Sequence, residues 1–405
     1  MDLEKIKLFN SIREFFLFLA LVCFVLAYSL LIEYSNYKHF TQFDSCVVEV
    51  QVLKQYVKKK KTREYQVLKL KLPSAGTYYT TFSKSFQNVL HHKLLVEIYH
   101  TDTISFFEYL NSFYRYSKVL HIYKNDTLKQ KLNTFLQHTH KDENTTAIYQ
   151  ALYSATPLPR ELQLYFSNLG ISHLFAISGF HLSILSGVLF FLFKFPYRFL
   201  QQRFFPYRSY HRDSFFVIFI LLFSYLAFLE YPPSLLRALS MFGIGFLLYD
   251  RGYKVFTMQT LFVSVMLLLA FLPRLFFQVG FWLSVAGVFY IFLFLILFRG
   301  LSFWKTVFLL PFWIYGAMLP FSLALFGNFS FLHPLSIVWS FIFNFFYPLS
   351  IVVHLAGFGN LLDSLVQWFL SFEVLTQKVV FPMWWLELYV AFSFFVVGWK
   401  WYKEN

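Results

Sequence analysis

The chain has 405 residues, of which 58% are hydrophobic and only 14% charged. Soluble domains carry about 25% charged residues, and 94 aromatics (58 Phe, 27 Tyr and 9 Trp) exceed what one aqueous core uses. With a mean hydropathy of +0.53 and a net charge of +14, this excludes a disordered chain, a collagen-like chain, a disulfide scaffold and an ordinary cytosolic enzyme. A polytopic membrane protein remains.

Lys5, Lys7 and Arg13 precede the first apolar run, Phe15–Ile32, which is long enough to span a bilayer. The nearest approach to a cleavage site, Ala27-Tyr28-Ser29, lies inside the run itself. Residues 1–32 therefore read as a cytoplasmic tail and an uncleaved anchor helix. Cys23 lies within that helix, which disfavours a bridge to Cys46.

Residues 33–168 hold 18 of the 35 basic and 11 of the 21 acidic residues. Within 33–105 the periodicity changes. Val47–Leu53 and Tyr65–Leu72 read as strands, followed by a turn at Pro73-Ser74-Ala75-Gly76 and strands at Thr77–Phe82 and Leu94–Tyr99. Short strands at this density suit a small OB-like β-barrel. Lys58, Lys59, Lys60, Lys61 and Arg63 form a basic connection between the first two. With Tyr56, Tyr65, Tyr78, Tyr79 and Phe82 as stacking surfaces, they have the makings of a single-stranded nucleic-acid site. A lysine run at a hairpin tip also serves as a solvated guard against edge pairing, and composition alone favours that reading.

Residues 106–168 read as a helical linker, with Leu128, Leu132, Phe135 and Leu136 at helical spacing behind Asp126 as a cap. His138-Thr139-His140-Lys141-Asp142 has the spacing of a metallo-hydrolase ligand set. Glu143 stands where the last His belongs and the next 20 residues contain none, so the pattern reads as coincidence and no metal or other cofactor is expected.

Further spans are expected near 172–193, 214–231, 234–249, 257–272, 276–298, 303–324, 334–357 and 384–400, about nine in all with the anchor. The stretch 358–383, interrupted by Asp363, Glu373 and Lys378, has the amphipathic pattern of a surface segment. With a cytoplasmic N-terminus, 33–168 lies outside. The inside loops then carry Lys194, Arg198, Arg203, Arg208 and Arg212, next Arg251 and Lys254, and last Arg299 and Lys305. That distribution satisfies the positive-inside rule.

Residues 214–357 contain six basic residues and two acidic ones, Glu230 and Asp250. Arg237 enters a span one turn after Tyr231-Pro232-Pro233-Ser234, and an intramembrane Arg costs about 2.5–3.5 kcal/mol unless it meets a partner or a cavity. Glu230 is a candidate partner. His173 and His181 fall close to one helical face, with Ser178, Gly179, Ser183, Ser186 and Gly187 nearby. Small residues at such spacing mean close helix packing, or else a polar cavity face. Gln278, Ser284, Asn328, His333 and Asn344 are further polar positions, each alone more often a helix-to-helix hydrogen bond.

His173-Leu174-Phe175-Ala176-Ile177-Ser178-Gly179-Phe180-His181 resembles the signature of ComEC-type DNA uptake channels. Pro233-Ser234-Leu235-Leu236-Arg237-Ala238 resembles their P-x-x-R-A element, and Gly280-Phe281-Trp282-Leu283-Ser284 their G-F-Q-L-S. Phe326-Gly327-Asn328-Phe329-Ser330 and Asn344-Phe345-Phe346-Tyr347-Pro348 match two later elements, all in family order. Trp282 replaces the family's Gln, with Gln278 one turn earlier, and Leu272-Pro273-Arg274 lacks an acidic residue before Pro.

The resemblance implies a division into the tail and anchor 1–32, an OB-like periplasmic domain 33–105, a linker 106–168, a competence-type channel module 169–357 and a C-terminal amphipathic and transmembrane segment 358–405. It implies a bacterial inner-membrane, non-enzymatic channel passing single-stranded DNA into the cytoplasm during natural transformation. The path would use His173, Ser178, Gly179, His181, Pro233, Arg237, Gln278, Ser284, Asn328 and Asn344. Implied partners are a periplasmic DNA receptor, cytoplasmic helicase or single-strand-binding proteins and membrane lipids, with a homo-oligomer left open. The family's C-terminal metallo-β-lactamase-like domain is expected to be missing, leaving strand degradation to another protein. The rival reading is an intramembrane enzyme or lipid-linked glycan transporter, which needs clustered acids or a nucleophile–base set; two acidic residues in 214–357 argue against it.

Overall fold

The apolar run at the start folds as one long helix, α1 (Ile12–Thr41), capped by Ser11, whose hydroxyl accepts the Glu14 N–H at 3.2 Å. The structure is a computed structural model describing residues 8–404 apart from 10, 61, 62, 74, 75, 91, 100–103, 124–126, 176, 254, 256, 373, 375 and 376. For Lys60, Arg63, Pro233 and Asn328 it describes the backbone alone. Lys5, Lys7, Lys61, Asp126, Lys254 and Glu373, singled out above, lie outside the described residues.

The described chain divides into two compact units: Phe9–Leu132 with Val265–Val279, and Asn133–Ser264 with the residues from Gly280 onward. In the first unit, α1 is followed by β1 (Ser45–Lys60), β2 (Arg63–Lys71), β3 (Thr77–Ser83), β4 (Lys93–Tyr99), α2 (Phe106–Leu110), β5 (Ser112–Tyr114) and β6 (Ser117–Tyr123). Alternation sets the faces: Leu68 and Leu70 of β2 and Leu94, Val96 and Ile98 of β4 are fully buried. They build one core with Val50, Val52, Tyr78, Tyr109 and Phe113, against which Tyr37 and Phe40 of α1 pack.

The strands form one mixed sheet in the order β5-β3-β2-β1-β4-β6, with β3 and β5 parallel. Its end strands, β5 and β6, do not pair with each other among the described residues. The OB-like element is therefore an open sheet and not the closed barrel that strand density suggested. Two of its strands also fall inside the stretch 106–168 that read as helical. A register shift opposite Leu95/Val96 brings Val119 and Ile122 of β6 to the core at a spacing of three. That spacing mimics a helix.

Arg274, in a 3₁₀ turn at Pro273–Phe277, holds Glu33 of α1 through both carboxylate oxygens at 2.8 and 2.7 Å. Its guanidinium also lies 4.9 Å from the centre of the Tyr109 ring. The Leu272-Pro273-Arg274 element thus supplies an ion-pair anchor at Arg274, two residues after the position where an acidic residue is missing.

The second unit contains the end of α3 (Leu128–Thr139), α4 (Glu143–Ser154), α5 (Arg160–Asn168), α6 (Ser172–Phe175), α7 (Gly179–Phe204), α8 (Tyr210–Phe228), α9 (Pro233–Asp250) and most of the remaining helices. These are α10 (Met258–Phe271, shared with the first unit), α11 (Val279–Leu297), α12 (Phe303–Phe326), α13 (Ser336–Leu355), α14 (Asp363–Leu370) and α15 (Met383–Glu404). A two-strand ribbon, β7 (Asn328–Phe329) with β8 (Gln377–Lys378), ties the end of α12 to the C-terminal segment.

Six described helical segments are long and apolar enough to cross a membrane: Ile12–Thr41, Gly179–Phe204, Tyr210–Phe228, Val279–Leu297, Phe303–Phe326 and His333–Leu355. Three of the nine expected spans fall short. Helix α9 carries Arg237 and Asp250, and α15 carries Glu387, Lys400, Lys403 and Glu404. Helix α10 has 14 residues, about 21 Å against a core of about 30 Å. Aromatics exposed along these helices, such as Phe191, Phe195 and Phe199 on α7 and Phe341 and Phe345 on α13, suit lipid contact.

The loop expected at 194–213 is mostly helix, because α7 runs on to Phe204. Arg208 grips Asp213 with two bonds of 2.7 Å, and Arg212 reaches Asp250 at the end of α9. Both acids answer the basic cluster of that end.

Candidate functional site

The His173–His181 motif is a broken helix. The chain leaves α6 at Phe175 and restarts at Gly179, so the two histidines do not share one helical face as their spacing suggested. Ser178 sits in extended backbone as the N-cap of α7, and its hydroxyl accepts the Phe180 N–H at 3.3 Å. The His181 ring returns to the Ser178 N–H at 3.4 Å, completing a capping box with His in place of the usual Glu or Gln. Such a box supplies partners for backbone N–H groups that the first helical turn leaves unbonded.

Gly179 lies tight against a neighbour. A Cβ there would sit 3.1 Å from the Ala238 Cβ of α9, so absence of a side chain lets α7 and α9 meet. Ser234, at the start of α9, donates to the Ile177 carbonyl in the break at 2.6 Å. Two quoted motifs, some 55 residues apart in sequence, are therefore joined by a hydrogen bond and a close contact.

Arg237 carries the chain of contacts to a third motif. It is 5% exposed, its Nη1 donates to the Gly280 carbonyl at 3.0 Å, and its guanidinium lies 5.7 Å from the centre of the Phe281 ring. The Nε atom is buried with no hydrogen-bond partner among the described residues. Glu230, the candidate partner from sequence, stands with Tyr231 in the left-handed backbone region at the turn between α8 and α9. What the structure gives Arg237 is the Gly280 carbonyl.

Helix α13 completes the cluster. Its Phe343 and Tyr347, on either side of Asn344, meet the buried His181 ring edge-on at 5.3 and 4.9 Å. His181 Nε2 has no hydrogen-bond partner among the described residues. His173 is exposed, with Nε2 3.4 Å from the Ser340 hydroxyl. Asn344 donates to the Ser340 carbonyl of its own helix at 3.2 Å.

The remaining candidates lie apart from this cluster. Gln278 ends the 3₁₀ turn in extended backbone and so precedes the helix that carries Trp282. Ser284 is half-buried on α11, and the Asn328 backbone pairs with Lys378 in the β7–β8 ribbon. Pro233 is the first residue of α9, where its fixed φ suits a helix start.

In the sheet, Lys59 meets Glu64 at 3.7 Å and Lys84 meets the same carboxylate at 2.5 Å, which answers part of the basic run. Lys58 is exposed and faces Tyr65 in register. A second basic feature escaped the sequence reading: Lys54 and Lys69 stand directly opposite each other across β1 and β2. Lys69 Nζ lies 5.3 Å from the centre of the Tyr79 ring. Burial and then the charge of Lys69 lower the Lys54 pKa, and burial lowers that of Lys69. A bulge between Val52 and Lys54 brings Lys54 into line with Lys69, and no alternation pattern reveals that.

The motif-to-motif contacts fall within residues 155–403, the span matched by the model of the competence protein family. This chain belongs to that family. The match covers more than half of the chain, and the motifs identify a ComEC-type competence protein. It is a multi-pass protein of the inner membrane with a role in DNA uptake during transformation. No curated protein and no solved structure matches the chain.

Proposed function

We propose that this competence protein is the channel through which one strand of incoming DNA crosses the inner membrane into the cytoplasm. The observation that carries the reading is the junction of His181, Ser234, Arg237 and Gly280, which joins separated family elements in a membrane-spanning unit. A strand in transit brings one negative charge per nucleotide into low dielectric, so its path needs donors and cations that are already in place. The unpartnered Nε of Arg237 and Nε2 of His181 are such groups. His173, Ser178, Gly179 and Asn344 belong to the same stretch of path, with Pro233 fixing the start of α9. Gln278, Ser284 and Asn328 are assigned to the path on the family resemblance alone.

The sheet is the first contact for DNA in this account. Like charges directly opposite on a sheet are destabilising, so the Lys54–Lys69 pair suits a site that an anion occupies. Tyr79 beside Lys69, with Tyr114 bonded to Thr81 at 2.7 Å, offers stacking surfaces on the same sheet. Lys58 and Lys59 extend this basic area along the hairpin, and Lys60, Lys61 and Arg63 are assigned to the same DNA site on the sequence alone. A periplasmic receptor would deliver the DNA and a cytoplasmic helicase or single-strand-binding protein would draw it in. The chain itself performs no bond chemistry in this reading.

Cysteine crosslinking tests the path. With single cysteines at 178, 344 and 345, thiol-reactive single-stranded DNA arrested during uptake should label Ser178→Cys and Asn344→Cys. Phe345→Cys, on the exposed side of α13, should stay unlabelled. Equal labelling at all three, or none at 178 and 344, would refute the assignment.

A further inference from the structure

Away from the motif cluster, two buried histidines and a part-buried aspartate, distant in sequence, meet within the helical unit. His140 follows α3 and is 4% exposed, His354 ends α13 and is 9% exposed, and Asp363 begins α14. His140 Nδ1 lies 2.8 and 3.1 Å from the two Asp363 oxygens. His140 Nε2 faces His354 Nε2 at 3.0 Å, and His354 Nδ1 lies 2.7 Å from the Ser350 carbonyl oxygen. The Tyr149 ring stacks on His140 at 4.4 Å and meets His354 edge-on at 4.7 Å.

Counting protons on these contacts gives a definite result. Each short contact needs one hydrogen between its two atoms. The carbonyl of Ser350 can only accept, so His354 Nδ1 carries a proton and its Nε2 accepts from His140 Nε2–H. A third proton lies between His140 Nδ1 and Asp363. The three contacts hold three protons, one more than two neutral imidazoles beside a carboxylate. Remove it and one contact loses its hydrogen: two nitrogen lone pairs face each other at 3.0 Å, or the carboxylate faces one, or His354 Nδ1 faces the Ser350 carbonyl with the Tyr153 hydroxyl beside it.

We propose that Asp363, His140 and His354 form a buried one-proton site that clasps the end of α13 to α14 and to the turn between α3 and α4. With the extra proton the cluster is neutral overall, which is why it can be buried. Among the described residues, the other titratable groups in contact with it are Tyr149 and Tyr153 from α4, both of whose phenols burial pushes up and so keeps neutral. Tyr153 donates to the Ser350 hydroxyl at 2.8 Å and lies 3.2 Å from His354 Nδ1. Asp142 does not compete, since its carboxylate caps α4 by accepting the Thr145 N–H at 2.7 Å. The site therefore binds a proton through its fold, and α13, which it clasps, is the helix that packs on His181.

The sign of the pH effect follows. Near neutral pH the unfolded chain holds its Asp ionised and its His mostly neutral, so the folded state binds one more proton. Stability then falls as pH rises and that proton leaves. The full chain in detergent should lose roughly 1.5 °C of melting temperature per pH unit between about pH 7 and 9 beyond any loss in Asp363→Asn. Equal slopes in the two proteins would overturn the proposal. Independently of any variant, 15N-histidine spectra of the wild-type chain at pH 8 should contain one ring with both nitrogens protonated. Every ring singly protonated at that pH would overturn it. So would a melting temperature that chelator lowers and zinc restores, which would make the cluster a metal site.

Discussion

Arg237 of α9 donates to the Gly280 carbonyl at the start of α11 across 3.0 Å, and this one bond links two motifs of the competence family. The oxygen lies in the first turn of α11, where carbonyls already accept a helical N–H, so Arg237 adds a second donor to it while its guanidinium stays a buried donor. Removing a hydrogen bond to a charged group costs about 1.5–3 kcal/mol. Arg237→Ala should therefore lower the melting temperature of the purified chain modestly. Transformation per unit of protein should fall far more, at least tenfold, because the cation is lost from the path. A variant that transforms like wild type at equal abundance would contradict the role given to Arg237.

Gly179 and Ala238 make a second, purely steric prediction. Adding a Cβ at 179 meets the Ala238 methyl at 3.1 Å, and overpacking costs about 1–3 kcal/mol. Gly179→Ala should be destabilised, and Gly179→Ala with Ala238→Gly should recover most of the loss. Thermal melting of the single and double variants measures the recovery. Additive losses would show that the two residues are not in contact.

The Glu33–Arg274 pair anchors the sheet-bearing unit. Both side chains are 18% exposed, and leaving one charge of such a pair unpartnered costs up to about 3–5 kcal/mol when fully buried. Some solvent access puts Arg274→Gln nearer 2 kcal/mol. Glu33→Gln with Arg274→Gln should be less destabilised than the single Arg274→Gln. A double-mutant cycle in denaturant melts would show a coupling energy, and its absence would dismiss the pair as an anchor.

Lys54 and Lys69 separate stability from binding. Lys69→Ala removes a like-charge pair, so the chain should melt no lower than wild type. Single-stranded DNA should bind more weakly, and the slope of log affinity against log salt should drop by about 0.7 for the one lost phosphate contact. Unchanged affinity and slope would move the DNA site elsewhere on the chain.

Much of this architecture is legible in the sequence because its signals are local. The apolar run at Phe15–Ile32 becomes α1, and the alternation of Tyr65–Leu72 becomes β2 with Leu68 and Leu70 buried. The motif residues Ser178, Gly179 and Arg237 can be singled out by their chemistry alone. What escapes depends on pairing at a distance. His140 reads as part of a coincidental metal pattern because Asp363, its partner, comes 223 residues later. Strand β6 reads as helix because a register shift alters its spacing, and Lys54 meets Lys69 through a bulge. Of the nine expected spans, α9, α10 and α15 are shorter or more polar than the six long apolar segments, because Arg237, Asp250, Glu387 and Lys400 interrupt them or the helix is only 14 residues long.

The central claim is passage of DNA across the inner membrane, and following labelled DNA by compartment tests it most directly. A strain lacking this protein should accumulate the label in the periplasm and pass none to the cytoplasm, with wild-type protein restoring entry and Arg237→Ala failing to do so. Label reaching the cytoplasm of the deletion strain at the wild-type rate would contradict the account.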